Sequence, residues 1–156
     1  MIRRPMTTFL LCTLAGELYG FDAGSVDEVV RMPWVTAVAE TPADVRGVVD
    51  YRGSLVVVVD PALRLLGAVR PPSVDAFLVI LRVGSDRIAL VVDEVHGLQD
   101  ATPRLVPNTV SAPPFVLGHI ENADGNLVTL LDVPALLRDD VRDLVERSRA
   151  SHPAPA

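Results

Sequence analysis

No lysine occurs in this chain: its fourteen basic residues are all arginine, set against twenty carboxylates, for a formal net charge of -6. That acidic balance argues against nucleic acid or an anionic membrane as the main partner. Cysteine is scarce too: the single Cys12 excludes an internal disulfide and fits a reducing cytosol. No apolar run approaches the length of a membrane span, so direct membrane insertion is not expected. Aromatic residues make up only 4% of the chain, while 49% is apolar, mostly Val, Leu and Ala. This is a globular composition, and 156 residues fit one domain or two small ones sharing a core.

The chain turns on Gly47 to Pro61, where two β-branched runs flank Arg52-Gly53. That pattern predicts a hairpin with Arg52 at its tip and Gly53 supplying a positive φ. Leu55 to Val59 has no polar alternation, so both faces of that strand are expected to be buried. Asp60-Pro61 then reads as a helix start, aspartate at the N-cap and proline at the first helical position. Upstream, Phe9–Leu14 and Leu18–Asp22 read as strands joined across Ala15-Gly16-Glu17. Arg3-Arg4 before Phe9-Leu10-Leu11-Cys12 imitates a targeting signal, but the run is short and Thr13 interrupts it, so it is read as a strand. Ser25-Val26-Asp27-Glu28 has capping-box spacing and predicts a short helix ending before Pro33. Thr41-Pro42 is expected to open another helical turn, and Val69 to Asp75 reads as a linker.

The pattern then repeats. Phe77-Leu78-Val79-Ile80-Leu81 answers Phe9-Leu10-Leu11-Cys12, and Gly84 punctuates a second hairpin. Asp93-Glu94-Val95 answers Asp27-Glu28-Val29, and Pro113 answers Pro42. Gly118 follows Gly47 by 71 residues and Asp132 follows Asp60 by 72, the change in offset falling in the hairpin tip. A duplicated unit of about five short strands follows. The expected fold class is mainly β: two small five-stranded antiparallel barrels, short connecting helices and a C-terminal helix. That helix is predicted from Val133 to about Arg149, with Leu137, Val141, Leu144 and Val145 on one stripe and Asp143/Arg147 as an i,i+4 pair.

Residues that carry chemistry are few. His96, His119 and His152 have no ligand spacing with one another or with Cys12, so no metal site is expected. Neither a Gly-x-Ser-x-Gly elbow nor a phosphate-binding glycine loop occurs. The valine run ending in Asp60 invites comparison with a receiver's phosphoacceptor, but that chemistry needs a lysine, and the layout is hairpins rather than alternating strand and helix. Asp60 and Asp132 recur at one place in each half, as N-caps do. For Glu28, capping-box duty and membership of an acidic pair with Asp27 both stay open. Arg52 differs from its counterpart in the second half, where Asp124 stands.

Together these motifs resemble CheW-type chemotaxis coupling proteins. The resemblance is carried by Tyr19-Gly20-Phe21-Asp22, Val26-Asp27-Glu28-Val29, Thr41-Pro42 and Gly47-Val48-Val49 with Arg52-Gly53. Val59-Asp60, Ala89 through Val95, and Leu131-Asp132 with Leu136-Leu137 extend it over about residues 8 to 140. Asp50, Val57 and Ala89 depart from the family's usual asparagine, proline and glycine. The resemblance implies that the two barrels are SH3-like and packed on a shared core, and that the protein is a non-catalytic adaptor without cofactors, cytoplasmic and recruited to receptor arrays at the inner membrane. Its implied partners are the regulatory domain of a CheA-type histidine kinase and the cytoplasmic tip of chemoreceptors. The implied partner-binding positions are Val26, Glu28, Gly47, Arg52 and Phe77. A groove between the barrels, with apolar floor and polar rim, would receive the helical receptor tip.

The CheW-like domain is expected over 8–140, in halves of roughly 8–68 and 76–138 whose strands are free to cross. Residues 141–149 are expected to end the C-terminal helix, and 1–7 and 150–156 to be flexible termini. The alternative is a CheW-like scaffold of a different motility or developmental pathway. An enzyme using Asp27, Asp93 or their neighbours is the third reading, and it would need a concave pocket with perturbed acids.

Overall fold

The computed structural model describes residues 6–105 and 111–151. Two hairpins open the two halves as the sequence reading expects. β1 (Thr7–Leu14) pairs with β2 (Glu17–Asp22), and β6 (Phe77–Val83) pairs with β7 (Asp86–Val92). β3 (Val26–Arg31) and β8 (Glu94–Ala101) follow them, and β4 (Val45–Tyr51) with β5 (Ser54–Val59) forms the central hairpin. The second half continues with a short β9 (Arg104–Leu105), β10 (Val116–Glu121) and β11 (Leu127–Leu131). Three helices complete the fold: α1 (Ala62–Leu66), α2 (Val133–Leu136) and α3 (Asp139–Ser151).

The strands form two curled sheets, ordered β3-β6-β7-β5-β4 and β8-β1-β2-β11-β10-β9. Each sheet takes strands from both halves. The first-half β3 lies on the second-half β6, and the second-half β8 lies on the first-half β1. The mainly β, two-barrel architecture is as expected, and only strand direction and number are corrected: each sheet has one parallel contact, β5 with β7 and β2 with β11, and one sheet has six strands. No tight turn joins strands of different halves, so both directions occur between them: β5–β7 and β2–β11 run parallel, β3–β6 and β1–β8 antiparallel.

The repeat is visible in local geometry. Val45 N donates to Pro42 O and Val116 N to Pro113 O, both at 3.0 Å. Asp60 N donates to Asp44 O (2.7 Å) and Asp132 N to Phe115 O (2.8 Å). Gly47 and Gly118 sit at equivalent bulges in β4 and β10. A Cβ at either would collide with a neighbouring carbonyl, that of Thr36 or of Arg104.

Three clusters make the core. Val57 and Val59 join Leu10, Cys12, Leu131 and Val141 between the two sheets. Val56 and Val58 join Tyr51, Leu78, Ile80 and Val91 inside the β3–β7 sheet. Phe9, Leu11, Ile120, Val128 and Leu130 fill the other. The absence of polar alternation in β5 thus has the meaning expected of it, except that Leu55 at its start is exposed. Each buried valine contributes roughly 1.5–3 kcal/mol.

Three local expectations are corrected. Val26–Arg31 is a strand, not a helix, because Val26, Val29 and Val30 can pair with the apolar β6. Only Ala23–Ser25 coils, as a 3-10 turn capped by Asp22, whose Oδ1 accepts from Gly24 N at 2.8 Å. Thr41-Pro42 leads into a single turn closed by Pro42 and Val45, not a helical one. The C-terminal helix is broken at Leu137, whose φ and ψ of -77° and 128° are extended. Adjacent Leu136 and Leu137 are both buried, and one unbroken helix would turn them about 100° apart. Beyond the break, Val141 and Val145 are buried and Leu144 packs partly against the shared core. Arg147 Nε reaches the Asp143 carbonyl at 3.4 Å. The termini 1–5 and 152–156 lie outside the described residues, whereas Thr7 is already in β1 and Ser151 still in α3.

The aspartates part company. Asp132 is the N-cap of α2, its side chain accepting from Ala135 N, with proline in the first turn. At α1 the N-cap position falls on Pro61. Asp60 still accepts from Ala62 N (3.0 Å), but its buried carboxylate is chiefly occupied by Arg46 at 2.6 Å and Arg70 at 3.5 Å.

Candidate functional site

The β4–β5 hairpin closes at the Tyr51–Ser54 pair, leaving a two-residue turn of Arg52 (φ 52°) and Gly53 (φ 83°). Two consecutive positive φ values match the twist of the flanking strands, as in a type I′ turn. Glycine takes this conformation freely, whereas arginine is strained in it. Asp50, one of the departures, closes the turn: its Oδ1 accepts from Gly53 N at 2.9 Å.

Strand alternation turns Tyr51 inward and leaves Arg52 outside, its side chain 69% exposed. Glu28 comes from β3, which lies at the opposite edge of the sheet from β4. Curling brings the two edges together. Tyr51 Oη donates to Glu28 Oε2 at 2.7 Å, and Arg52 Nη2 approaches the same oxygen at 3.5 Å. The hydrogen bond to Glu28, and then burial, raise the Tyr51 phenol's pKa. The guanidinium of Arg52 lies 5.1 Å from the Tyr51 ring centre and that of Arg87 lies 6.0 Å from it. Arg87 Nε pairs with Asp27 Oδ2 at 2.5 Å, and Arg82 Nε with Asp27 Oδ1 at 3.4 Å. Arg82 and Arg87 face each other across β6 and β7, and Asp27 offsets the repulsion between them.

Of the five residues singled out from the sequence, Glu28 and Arg52 meet directly. Val26 stands two residues from Glu28 on β3, half-buried and paired with Leu81. Phe77 lies at the other end of β3, opposite Arg31, and packs against the shared core. Gly47 is buried and presents no side chain; its lack of a Cβ lets the Thr36 backbone approach β4. Sequence reasoning missed Tyr51, Arg87 and Asp27 as members of the cluster. The available signals were the tyrosine directly beside the tip arginine and the adjacency of Asp27 to Glu28.

A second feature is an open groove of about 590 Å³ beside the same sheet, walled by Met32, Val35, Val58 and Val91 and rimmed by the exposed Trp34 and Val74. Its two carboxylates are both engaged: Asp60 with Arg46 and Arg70, Asp93 with Arg70. That leaves a paired ionic wall rather than an acid held ready for proton transfer. No helix among the described residues is long and apolar enough to cross a membrane.

The family described as CheW-like domain matches residues 8–141. The chain is 29% identical over 153 residues to the chemotaxis protein CheW of Klebsiella aerogenes, covering 92% of this chain and 89% of that protein. It is 30% identical over 140 residues to the chemotaxis protein CheA of Halobacterium salinarum, covering 85% of this chain but only 20% of that longer protein. Among solved structures it is similar to the scaffolding protein TtCheW from Thermoanaerobacter tengcongensis. That likeness has a TM-score of 0.75 and 26% identity, over 87% of this chain and 90% of the other.

Proposed function

The chain belongs to the CheW-like domain family, a non-catalytic scaffold by that membership, and from this premise we propose that it couples chemoreceptor tips to a CheA-type histidine kinase. The partner-facing surface in this reading is the β4–β5 tip with its neighbours on β3. The observation that carries it is Arg52: a long cation held at positive φ, 69% exposed and paired with Glu28 at 3.5 Å. A surface pair of this kind adds little to stability, so strain kept for its sake points toward recognition. A guanidinium fork suits the carboxylates and carbonyl ends that a helical hairpin presents. Val26, Gly47 and Phe77 complete the proposed set: Val26 as an apolar neighbour of the tip, Gly47 and Phe77 by shaping the strands that carry it.

In the same reading the protein works in the cytoplasm and joins receptor arrays at the inner membrane through its partners. The test is titration of the purified protein with the kinase regulatory domain and, separately, with a receptor cytoplasmic tip. Binding to each, and a ternary complex when all three are mixed, is the expected result. Absence of binding to both would sink the coupling role.

A further inference from the structure

We propose that Tyr51 is a positioning residue of this site: from inside the barrel it fixes Glu28, and through Glu28 and its own ring it sets Arg52 and Arg87 as a two-arginine face for partner carboxylates. The inference rests on the reading given under Proposed function. The Tyr51 ring is packed in the sheet interior with Val49, Val56 and Val58, so its hydroxyl must find an acceptor near the surface. It finds Glu28 Oε2, the oxygen that also faces Arg52. A neutral donor from inside and a cation from outside share one atom, so the carboxylate cannot swing away without losing both. The ring meanwhile lies within cation–π reach of both guanidiniums. Arg52, Arg82 and Arg87 gather around Asp27 and Glu28, with the Asp50 carboxylate in the same turn as Arg52. The exposed guanidiniums of Arg52 and Arg87 offer charge-assisted donors to partner carboxylates.

The experiment compares the full chain with Tyr51→Phe, Glu28→Gln and Arg52→Ala. Tyr51→Phe keeps the ring and removes only the hydroxyl. Order of the Arg52 side chain is read by NMR relaxation at its Nε–Hε group, and affinity by titration with the receptor tip and the kinase regulatory domain. The expected result is a mobile Arg52 in Tyr51→Phe, with a thermal midpoint close to the parent's and about fivefold weaker binding. Glu28→Gln should mobilise Arg52 as well, and reports the same coupling if Tyr51→Phe folds poorly. Adding Tyr51→Phe to Glu28→Gln should weaken binding little further. An Arg52 equally ordered in the parent and in Tyr51→Phe would overturn the positioning role, whatever the binding result. If Arg52 is freed but Arg52→Ala binds both partners normally, the two-arginine face is overturned while the coupling reading stands; if the parent itself binds neither partner, it is the coupling reading that fails.

Discussion

Arg70 Nη1 meets both oxygens of Asp93, at 2.9 and 2.8 Å. Arg70 lies in the linker between the halves and Asp93 follows β7, so the bond ties the connector onto the second half. Asp93 also accepts from Ala15 N (2.7 Å) in the β1–β2 turn, and Arg70 reaches on to Asp60. Arg46 completes the network through Asp60 Oδ2 and the Arg70 carbonyl. The pKa of Arg70 is moved down by burial, but the Asp93 hydrogen bond and the charges of Asp60 and Asp93 together move it up, so the net shift is upward.

This network predicts unequal costs for the two repeated aspartates. Asp132→Ala removes a cap and should cost about 1 kcal/mol. Asp60→Ala leaves Arg46 and Arg70 facing a lost partner in a largely buried setting, and should cost about 3–5 kcal/mol. Urea unfolding of both variants decides the matter. Equal losses near 1 kcal/mol would make Asp60 only a cap.

Gly118 and Gly20 make a second contrast. A Cβ at Gly118 strikes the Arg104 backbone, which cannot move without disturbing β9 and β10. At Gly20 it meets a side-chain carbon, Leu130 Cδ2, at 2.8 Å, and a leucine end can rotate. Gly118→Ala should therefore cost about 2–3 kcal/mol and Gly20→Ala less than about 1.5. A larger loss at Gly20 in the same unfolding assay would overturn this ordering.

Much of the architecture was legible because it is local. The tip at Arg52-Gly53 and the first hairpin across Ala15-Gly16 rest on turn chemistry within a few residues, and the repeat of Gly47 in Gly118 is legible because each half carries the same local pattern. The helix expected to open at Ser25 and end before Pro33 failed because pairing of Val26, Val29 and Val30 with β6 outweighs a capping box, and that pairing spans the two halves. Asp60 misled for a related reason. Its arginines come from 14 and 10 residues away along the chain, a reach that no spacing rule encodes. Glu28 and Arg52 were both singled out, but that they meet over Tyr51 required knowing that the sheet curls until its two edges touch.

Cys12 carries a pH prediction. The thiol is fully buried in the shared core, and burial pushes its pKa up to about 12. An unfolded cysteine ionises near ~8.5, so the raised folded value favours the native state fully below that pH. The contribution is lost as pH rises from ~8.5 toward the folded value, at up to about 1.4 kcal/mol per pH unit. Iodoacetamide at pH 8 should leave the folded protein unmodified and label it at once in urea. Rapid labelling of the native chain would mean that the site opens to solvent.

Arg52 separates stability from recognition most cleanly. Its ion pair with Glu28 is solvent-exposed on both sides, 69% and 41%, and such pairs contribute about 0–1 kcal/mol. Against that stands a left-handed backbone at a non-glycine residue. Arg52→Ala should leave the melting temperature nearly unchanged and weaken partner binding by roughly 1–3 kcal/mol. Charge reversal at Glu28 should weaken binding too, and the double mutant should lose less than the two single losses added. Asparagine suits the first position of a type I′ turn better than any other side chain. Arg52→Asn should accordingly gain about 0.5–1 kcal/mol of stability while losing binding as Arg52→Ala does. Thermal unfolding and titration with receptor tip and kinase regulatory domain measure both quantities on the same samples. If Arg52→Asn proves more stable and binds both partners as tightly as the parent, the arginine is ordinary solvated surface at a strained turn.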